Sequence, residues 1–301
     1  MKNKFKSLFR FLHLEKPASF AWNLPKRLFK PISHSRSRFH KERHEHHKLY
    51  NPNPGLVENQ DELNELVENG ILIKKDFFSQ KEIQDLRDTH IPTLESIESG
   101  NYEGPHYYTR SKATGRYRLY IDDLDEYAHD LDRRFVEDNY IKIMMQGCLS
   151  EKFSQYGAYI EYVSDPNDRS VSDRELTTFY HTDHWMKRFK AFVYLTDVGE
   201  ENAPFVYVMG SHKYDLWRRE HEYSIWYNNN KRPDLQITSN EVKRIIKDYG
   251  YKEKVCTGKA GTLIFAETTG LHRATRLKSG KRVHLLNQFR LLGGIGKSRR
   301  N

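Results

Sequence analysis

The stretch Phe179-Tyr180-His181-Thr182-Asp183-His184-Trp185 places an imidazole and a carboxylate two residues apart. Side chains alternate along a β-strand, so His181 and Asp183 are expected to emerge on the same face. There they can supply two ligands to one divalent metal ion. A third imidazole from another strand would complete a triad that covers one side of the ion and leaves the other side open. His272, in the later stretch Gly270-Leu271-His272-Arg273, is the candidate for this third ligand.

Short strand-like segments surround these candidate ligands. They are rich in aromatic and β-branched residues, and turns containing glycine or proline separate them. Strands are predicted at 71–75, 156–163, 177–183, 190–198, 205–208, 262–265 and 283–290. Many short strands of this kind indicate an antiparallel barrel or sandwich.

The part of the chain before these strands is predicted to be largely helical. One helix is expected over about 57–69 and another over about 134–154. Between them, Ser79 and Glu82 form a capping-box pattern that starts a further helix. Residues 101–120 combine glycine and proline with many aromatic and basic residues, and we expect a loop there. The fold class is therefore α+β, mainly β, with a helical layer from the N-terminal half.

A second helical stretch interrupts the strands at about 214–250. The pattern Thr238-x-x-Glu241 caps a helix within it. The β core is expected over about 156–292, within a domain of residues 51–293. The boundary before that domain is Asn51-Pro52-Asn53-Pro54-Gly55, a run that no regular element tolerates. A short basic tail, residues 294–301, follows the domain.

Bulk composition excludes several classes of protein. The 301 residues suit one large domain with an appendage, and no run of 18 apolar residues predicts a membrane span. Cys148 and Cys256 are too few for a disulfide framework or a thiolate zinc site. They point to a reducing compartment, so we expect a cytoplasmic protein.

The positive charge of the chain lies almost entirely in its first 50 residues. Residues 1–50 hold 13 Lys and Arg against three acids, whereas the other residues hold 37 Lys and Arg against 38 acids. Specific nucleic-acid binding is therefore not expected of the globular part. Residues 2–14 have the pattern of a short basic amphipathic helix, and residues 33–48 are polar and rich in His. Two interpretations stay open: a solvated leader without one partner, or a leader that contacts an anionic membrane surface or polyanion, such as the inner face of a membrane.

Several further motifs follow one another in a typical order. They are Asn69–Ile73 with Asp76–Ser79, then His181-x-Asp183, Tyr194–Val198 with Glu201–Phe205, Met209–Lys213, and Gly261–Phe265 ahead of His272. Over roughly residues 69–290 the sequence resembles the phytanoyl-CoA dioxygenase family of Fe(II)/2-oxoglutarate-dependent oxygenases. It departs from the family pattern at Met209, where Pro is usual, at Ala203, where Gly is usual, and at Ala274, where a hydroxyl residue often helps to hold the cosubstrate.

The resemblance implies a double-stranded β-helix, also called a jelly roll or cupin-like fold. It implies Fe(II) on His181, Asp183 and His272, with 2-oxoglutarate and O2 as cosubstrates. Arg282, ten positions after His272, is the candidate for the cation that binds the far carboxylate of 2-oxoglutarate, and Arg276 is its competitor. The implied reaction hydroxylates a C–H bond of an unidentified small molecule, or of a lipid- or carrier-linked substrate, and releases succinate and CO2. Asp183 favours hydroxylation over halogenation, since related halogenases empty that ligand position for chloride.

Other residues near these motifs carry two interpretations each. The histidines at 184, 212 and 284 either support the site or belong to turns and the core, and Tyr159, Trp185 and Lys190 either touch substrate or serve the core and the surface. Two other functions also stay open: a cupin-like metal-binding protein of another class, and a catalytically silent scaffold whose leader is the functional part.

Overall fold

The structure, a computed structural model, describes residues 59–104, 107–121, 129–149, 153–165, 178–184, 187–214, 217–218 and 236–291. The helices are α1 (Gln60–Asn69), α2 (Gln80–Ser99), α3 (Asp130–Glu137), α4 (Asn139–Leu149) and α5 (Ser239–Tyr249). The strands are β1 (Ile71–Lys74), β2 (Tyr108–Ser111), β3 (Arg116–Tyr120), β4 (Phe153–Val163), β5 (Tyr180–His181), β6 (Arg188–Tyr194), β7 (Phe205–Met209), β8 (Gln236–Ile237), β9 (Lys252–Cys256), β10 (Leu263–Glu267), β11 (His272–Ala274) and β12 (Arg282–Leu291).

The strands form two antiparallel sheets. The large sheet has the order β1-β10-β6-β12-β4-β3-β2, and the small sheet has the order β8-β5-β11-β7-β9. Buried residues from both sheets, among them Tyr159, Phe192 and Leu286 of the large sheet and Tyr207 of the small one, pack into one inner core. This is the double-stranded β-helix, so the expected α+β, mainly β, fold class is confirmed.

Helices cover the outer face of each sheet. The helices before β4 pack on the large sheet in a core that includes Leu63, Ile83, Met144 and Phe265. On the small sheet, α5 contributes Val242 and Ile245 to a separate cluster. Strand residues in the large sheet therefore face apolar neighbours on both sides, which accounts for their aromatic and β-branched content.

Local signals position the helices as expected. The Ser79 side chain accepts a hydrogen bond from the backbone N–H of Glu82, and the Glu82 side chain accepts one from the backbone N–H of Ser79, so the predicted capping box is present. The side chain of Thr238 caps α5 in the same way. Helix α1 ends at Gly70, whose φ of 75° lies in the left-handed region that favours glycine.

The structure corrects several predicted elements. Residues 101–120, expected as a loop, contain the hairpin β2–β3, because their aromatic and β-branched side chains pack on β4. The predicted helix over 134–154 is two helices that meet at Asp138. The predicted strand over 177–183 is only Tyr180–His181 among the described residues. Strands β8 and β9 were not predicted; β8 has two residues and β9 is mostly exposed. The strand expected at His272 is β11, which has three residues.

Some expectations fall on parts of the chain that the structure does not describe. They are the leader, the boundary at 51–55, the tail at 294–301 and most of 215–235. The domain limits therefore stay predictions. Within the described residues, no helix is both long and apolar enough to cross a membrane.

Candidate metal centre

The three predicted metal ligands lie together between the two sheets. Strands β5 and β11 pair so that His181 stands directly opposite His272. The centroids of the two imidazole rings are 4.3 Å apart. Asp183 Oδ1 lies 3.8 Å from His181 Nε2 and 3.5 Å from His272 Nε2. One ligand atom from each residue falls within 4.8 Å of the others, so one ion can reach all three.

Asp183 reaches this position in a way that the strand pattern did not predict. It lies after β5, and its backbone N–H donates to the carbonyl of Thr268 at 2.8 Å. The same-face argument for His181 and Asp183 therefore gave the right neighbours although no strand extends to Asp183.

Both imidazoles present the same nitrogen to the centre. His181 Nδ1 lies 2.9 Å from the carbonyl of Phe179, and His272 Nδ1 lies 2.9 Å from the carbonyl of Gly270. A carbonyl only accepts, so each Nδ1 carries the proton and each Nε2 keeps a lone pair. His272 Nε2 is buried without a hydrogen-bond partner among the described residues. Two unprotonated imidazole nitrogens and a carboxylate are a donor set that fits Fe(II).

Electrostatics keep His181 and Asp183 in the protonation states that a metal needs. Burial, together with the neighbouring His272, lowers the pKa of His181 to about 3. Burial would raise the pKa of Asp183, but Lys190 and the two imidazoles outweigh it and hold the pKa well below its usual range. At neutral pH, His181 is therefore neutral and Asp183 is ionised.

Lys190, on β6, binds the carboxylate of Asp183. Its Nζ lies 2.7 Å from Oδ2 of Asp183, on the oxygen that does not face the two imidazoles. The sequence left open whether Lys190 touches substrate or solvent. The structure places it against a candidate metal ligand.

The candidate cosubstrate arginine, Arg282, lies buried at the start of β12. Its Nη1 donates to the carbonyl of Ala203, and its Nη2 lies 3.6 Å from Oε1 of Glu161. Arg118 donates to Glu161 Oε2 from both Nε and Nη2 at 2.7 Å, and Arg116 Nη1 lies 3.8 Å from Oε1. The guanidinium groups of Arg116, Arg118 and Arg282 thus surround the carboxylate of Glu161. We call these four residues the basic cluster. Burial would raise the pKa of Glu161, but the arginines, Arg118 foremost, hold it well below its usual range.

A path of ring contacts joins this basic cluster to the triad. His284 lies beside Glu161, at 3.7 Å, and its ring contacts Phe192 with centroids 5.6 Å apart. Phe192 contacts Phe205 at 5.3 Å, and Phe205 contacts His272 at 5.4 Å. Arg282 therefore lies on the inner side of the large sheet, which faces the small sheet and its strands β5 and β11, the strands of His181 and His272.

The other histidines and the competing arginine have different places. Burial lowers the pKa of His284 to about 3, which makes it a neutral member of the inner core. His212 Nε2 lies 2.9 Å from the carbonyl of Val67 in a contact between a turn and α1. Arg276 lines a separate pocket with Arg116, and none of the three triad residues lines it. Trp185 falls outside the described residues.

Sequence reasoning missed Glu161 and its two partners on β3. Glu161 lies two residues after Tyr159 on β4, so the two side chains share the inner face of the sheet. The alternation of side chains along a strand was enough to predict this position from the sequence. Arg116 and Arg118 lay in the segment expected to be a loop, and their role could not be seen without β3.

Comparisons with known proteins agree with this geometry. The family model described as Phytanoyl-CoA dioxygenase matches residues 66–284. No curated protein sequence matches the chain.

Among solved structures, the chain is similar to the epimerase SnoN in complex with Fe3+, alpha ketoglutarate and nogalamycin RO (12% identity, 80% of this chain and 93% of that chain, TM-score 0.54). It is also similar to the non-heme alpha ketoglutarate dependent carbocyclase SnoK from nogalamycin biosynthesis (15% identity, 81% and 89%, TM-score 0.52). A third is EctD from S. alaskensis with bound Fe (12% identity, 79% and 77%, TM-score 0.52). At these identities the likeness shows the fold.

Proposed function

The chain belongs to the phytanoyl-CoA dioxygenase family of Fe(II)/2-oxoglutarate-dependent oxygenases, and from this premise we propose that it hydroxylates a C–H bond of a small molecule with release of succinate and CO2. The observation that carries the proposal is the convergence of two unprotonated Nε2 atoms, from His181 and His272, on one oxygen of Asp183.

The proposed metal ligands are His181 and His272 through Nε2 and Asp183 through Oδ1. When bound there, Fe(II) and 2-oxoglutarate would allow O2 to act as the oxidant, and the keto acid would lose CO2 and become succinate. The carbonyls of Phe179 and Gly270 hold the two rings in the ligating orientation. Because a carboxylate fills the third ligand position, hydroxylation is favoured over halogenation.

Arg282 is the proposed partner of the far carboxylate of 2-oxoglutarate. Its Nε is buried and has no hydrogen-bond partner among the described residues, so one edge of the guanidinium can accept a carboxylate. Glu161 lies on Nη2 of the same group, but Arg118 binds that carboxylate more closely, at 2.7 Å against 3.6 Å. The basic cluster thus holds Arg282 in place. Because Glu161 pairs mainly with Arg118, the positive charge of Arg282 stays available for a ligand.

Buried aromatic side chains stand beside both ends of the proposed site, because Tyr194 pairs with His284 in the large sheet and Tyr207 pairs with His272 in the small one. Phe192, Tyr194 and Tyr207 are at most 5% exposed. In a site without bulk water, the attraction between a guanidinium and a carboxylate is screened less than at the surface. This supports a cosubstrate that is held at two ends, by the metal and by Arg282.

The test is formation of succinate from 2-oxoglutarate by the full chain with Fe(II) and ascorbate. We expect turnover in the wild type and its loss in His181→Ala. Arg282→Gln should raise the concentration of 2-oxoglutarate needed for half-maximal turnover, whereas Arg276→Gln should not. Because turnover without substrate can be slow, calorimetric binding of 2-oxoglutarate to the metal-loaded protein is measured in parallel. Equal binding by wild type and Arg282→Gln would reject the assignment of Arg282.

For the leader, we propose contact with an anionic surface, supported by its 13 basic residues against three acids. The full chain should sediment with vesicles that contain phosphatidylserine and not with phosphatidylcholine vesicles. Replacing Lys2, Lys4, Lys6 and Arg10 by Gln should abolish the difference. Sedimentation independent of lipid charge would reject the proposal.

A further inference from the structure

Three tyrosines form a continuous row across the edge of the large sheet. Tyr120, on β3, pairs in register with Tyr159 on β4, and their ring centroids are 5.5 Å apart. Tyr107, just before β2, contacts Tyr120 with centroids 4.8 Å apart. The Tyr120 backbone N–H also donates to the carbonyl of Tyr107 at 2.9 Å. We call Tyr107, Tyr120 and Tyr159 the tyrosine row.

The inner end of the row lies on the face of the large sheet that is turned toward the small sheet, whose strands β5 and β11 carry His181 and His272. Tyr159 and Phe192 both stand opposite Leu286 in the sheet, one on each side of it. Phe192 continues through Phe205 to His272 by the ring contacts described above. The exposed fraction of these tyrosines increases outward along the row, from 7% at Tyr159 to 69% at Tyr107. The row therefore runs from the core between the two sheets to the protein surface.

The inner end is held rigidly by charged neighbours. The guanidinium of Arg118 lies over the Tyr159 ring, 4.8 Å from its centroid. Arg118 is itself fixed by its two 2.7 Å contacts with Glu161. Arg118 thus covers one face of Tyr159, and the whole residue is only 7% exposed. The ring surface that a ligand can contact therefore belongs to Tyr120 and Tyr107.

Tyr108, the neighbour of Tyr107, belongs to the opposite face of the same hairpin. Its ring contacts Tyr102 edge to face, with centroids 5.3 Å apart. Tyr102 packs against the core between the sheet and the helices. The chain thus offers two adjacent, exposed tyrosines of which only one belongs to the row.

We propose that the tyrosine row is the substrate-binding wall, and that the substrate presents the face of a ring, aromatic or sugar-like, to Tyr107 and Tyr120. This proposal rests on the proposed oxygenase function. Exposed aromatic surface continuous with a buried site marks a place for a ligand. Ring faces bind other ring faces in offset or edge-on stacks, and the tyrosine hydroxyls add polar contacts at the ring edges. A linear aliphatic chain would gain little from this geometry.

The test uses the full chain loaded with Zn(II) and 2-oxoglutarate, and saturation-transfer NMR to measure weak binding. The probes are p-nitrophenol, methyl β-D-glucopyranoside, p-nitrophenyl β-D-glucopyranoside and, as a linear control, 1,6-hexanediol. We expect the wild type to bind at least one ring probe and not hexanediol. The first two probes distinguish an aromatic ring from a sugar ring.

Variants then locate the binding. Tyr107→Ala and Tyr120→Ala should weaken ring binding by about fivefold to tenfold, the size expected for loss of one ring contact. Tyr108→Ala should change binding by less than about twofold because it lies on the other face. Tyr107→Trp should retain binding, since an indole stacks as well as a phenol.

The outcomes separate this inference from the proposed function. Equal weakening by Tyr107→Ala and Tyr108→Ala, or no wild-type binding of any ring probe up to its solubility limit, would overturn the tyrosine row as the substrate wall. Calorimetric binding of 2-oxoglutarate is measured on the same samples. If the wild type binds a ring probe through the row but binds no 2-oxoglutarate, the row stands as a ring-binding surface, while the oxygenase function and the row's role as its substrate wall both fail.

Discussion

Lys190 Nζ lies 2.7 Å from Oδ2 of Asp183, so the two oxygens of this carboxylate have separate partners. Oδ1 faces the Nε2 atoms of the two imidazoles, while the ammonium holds Oδ2. Lys190 comes from the large sheet, and Asp183 follows a strand of the small one. The contact therefore fixes the orientation of a proposed metal ligand from the opposite sheet.

Replacing Lys190 by Met should weaken 2-oxoglutarate binding to the metal-loaded protein by about tenfold, the lower range for loss of a contact behind a metal ligand. Without the ammonium, both oxygens of Asp183 can turn toward the ion and occupy space that the cosubstrate needs. Calorimetric titration of the Mn(II)-loaded protein measures the change. Lys190→Arg should recover part of the affinity.

Lys281→Met is the control for this experiment, because Lys281 makes a comparable lysine–carboxylate contact with Glu95, at 2.6 Å, on the surface. It should leave 2-oxoglutarate binding unchanged. Unchanged binding in Lys190→Met as well would show that Lys190 does not position Asp183.

Replacing Glu161 by Gln should lower the free energy of unfolding by about 3 kcal/mol, because breaking a buried ion pair leaves uncompensated charge in the interior. Arg118, Arg282 and His284 all lie against this carboxylate, which is 4% exposed. Chemical denaturation followed by circular dichroism measures the loss.

The matched control is Glu201→Gln. Glu201 pairs with Lys278 at 3.2 Å, and both side chains are more than half exposed. The change should cost less than about 1 kcal/mol. Similar losses in the two variants would mean that the basic cluster does not depend on Glu161 for charge balance.

Acid should destabilise the metal-free protein, starting near pH 6.5. The folded pKa of His284 is lowered from 6.5 to about 3 by burial and by the positive charge of Arg282. Between pH 6.5 and about 3, His284 is therefore protonated in the unfolded chain but stays neutral in the folded chain. The free energy of unfolding, which is at its full value above pH 6.5, falls across this range. His181, with a folded pKa of about 3, adds a loss of the same sign.

A pH series of denaturant unfolding curves tests this dependence. His284→Gln removes one of the groups that titrate in this range, so its free energy of unfolding should fall less steeply over the same range. Parallel slopes for the variant and the wild type would argue against a neutral, buried His284.

Gly70→Ala should be clearly more destabilising than Gly250→Ala. Both glycines end a helix with positive φ, 75° and 67°. A Cβ at Gly70 would collide with the Tyr207 hydroxyl and the His212 ring, whereas a Cβ at Gly250 meets nothing within 4 Å. We expect about 1 kcal/mol at Gly250 for the backbone conformation alone, and about 1–3 kcal/mol more at Gly70 for overpacking. Thermal and denaturant unfolding measure both, and equal losses would contradict the close packing at Gly70.

The sequence by itself determined the chemistry of the site. Ligand types and short-range signals are local, so His181-x-Asp183, His272 and the Ser79 capping box could be read without neighbours. The ordered motifs likewise identified the family and the β-helix, which the match over residues 66–284 confirmed.

Only the tertiary structure decided which side chains meet across strands. The contact between Lys190 and Asp183, the arginines around Glu161 and the tyrosine row all depend on the register between strands that are distant in sequence. A single strand shows which residues share a face but not which residues of another strand lie beside them. The hairpin β2–β3 illustrates this, because its glycines and charges indicated a loop until packing against β4 made it part of the sheet.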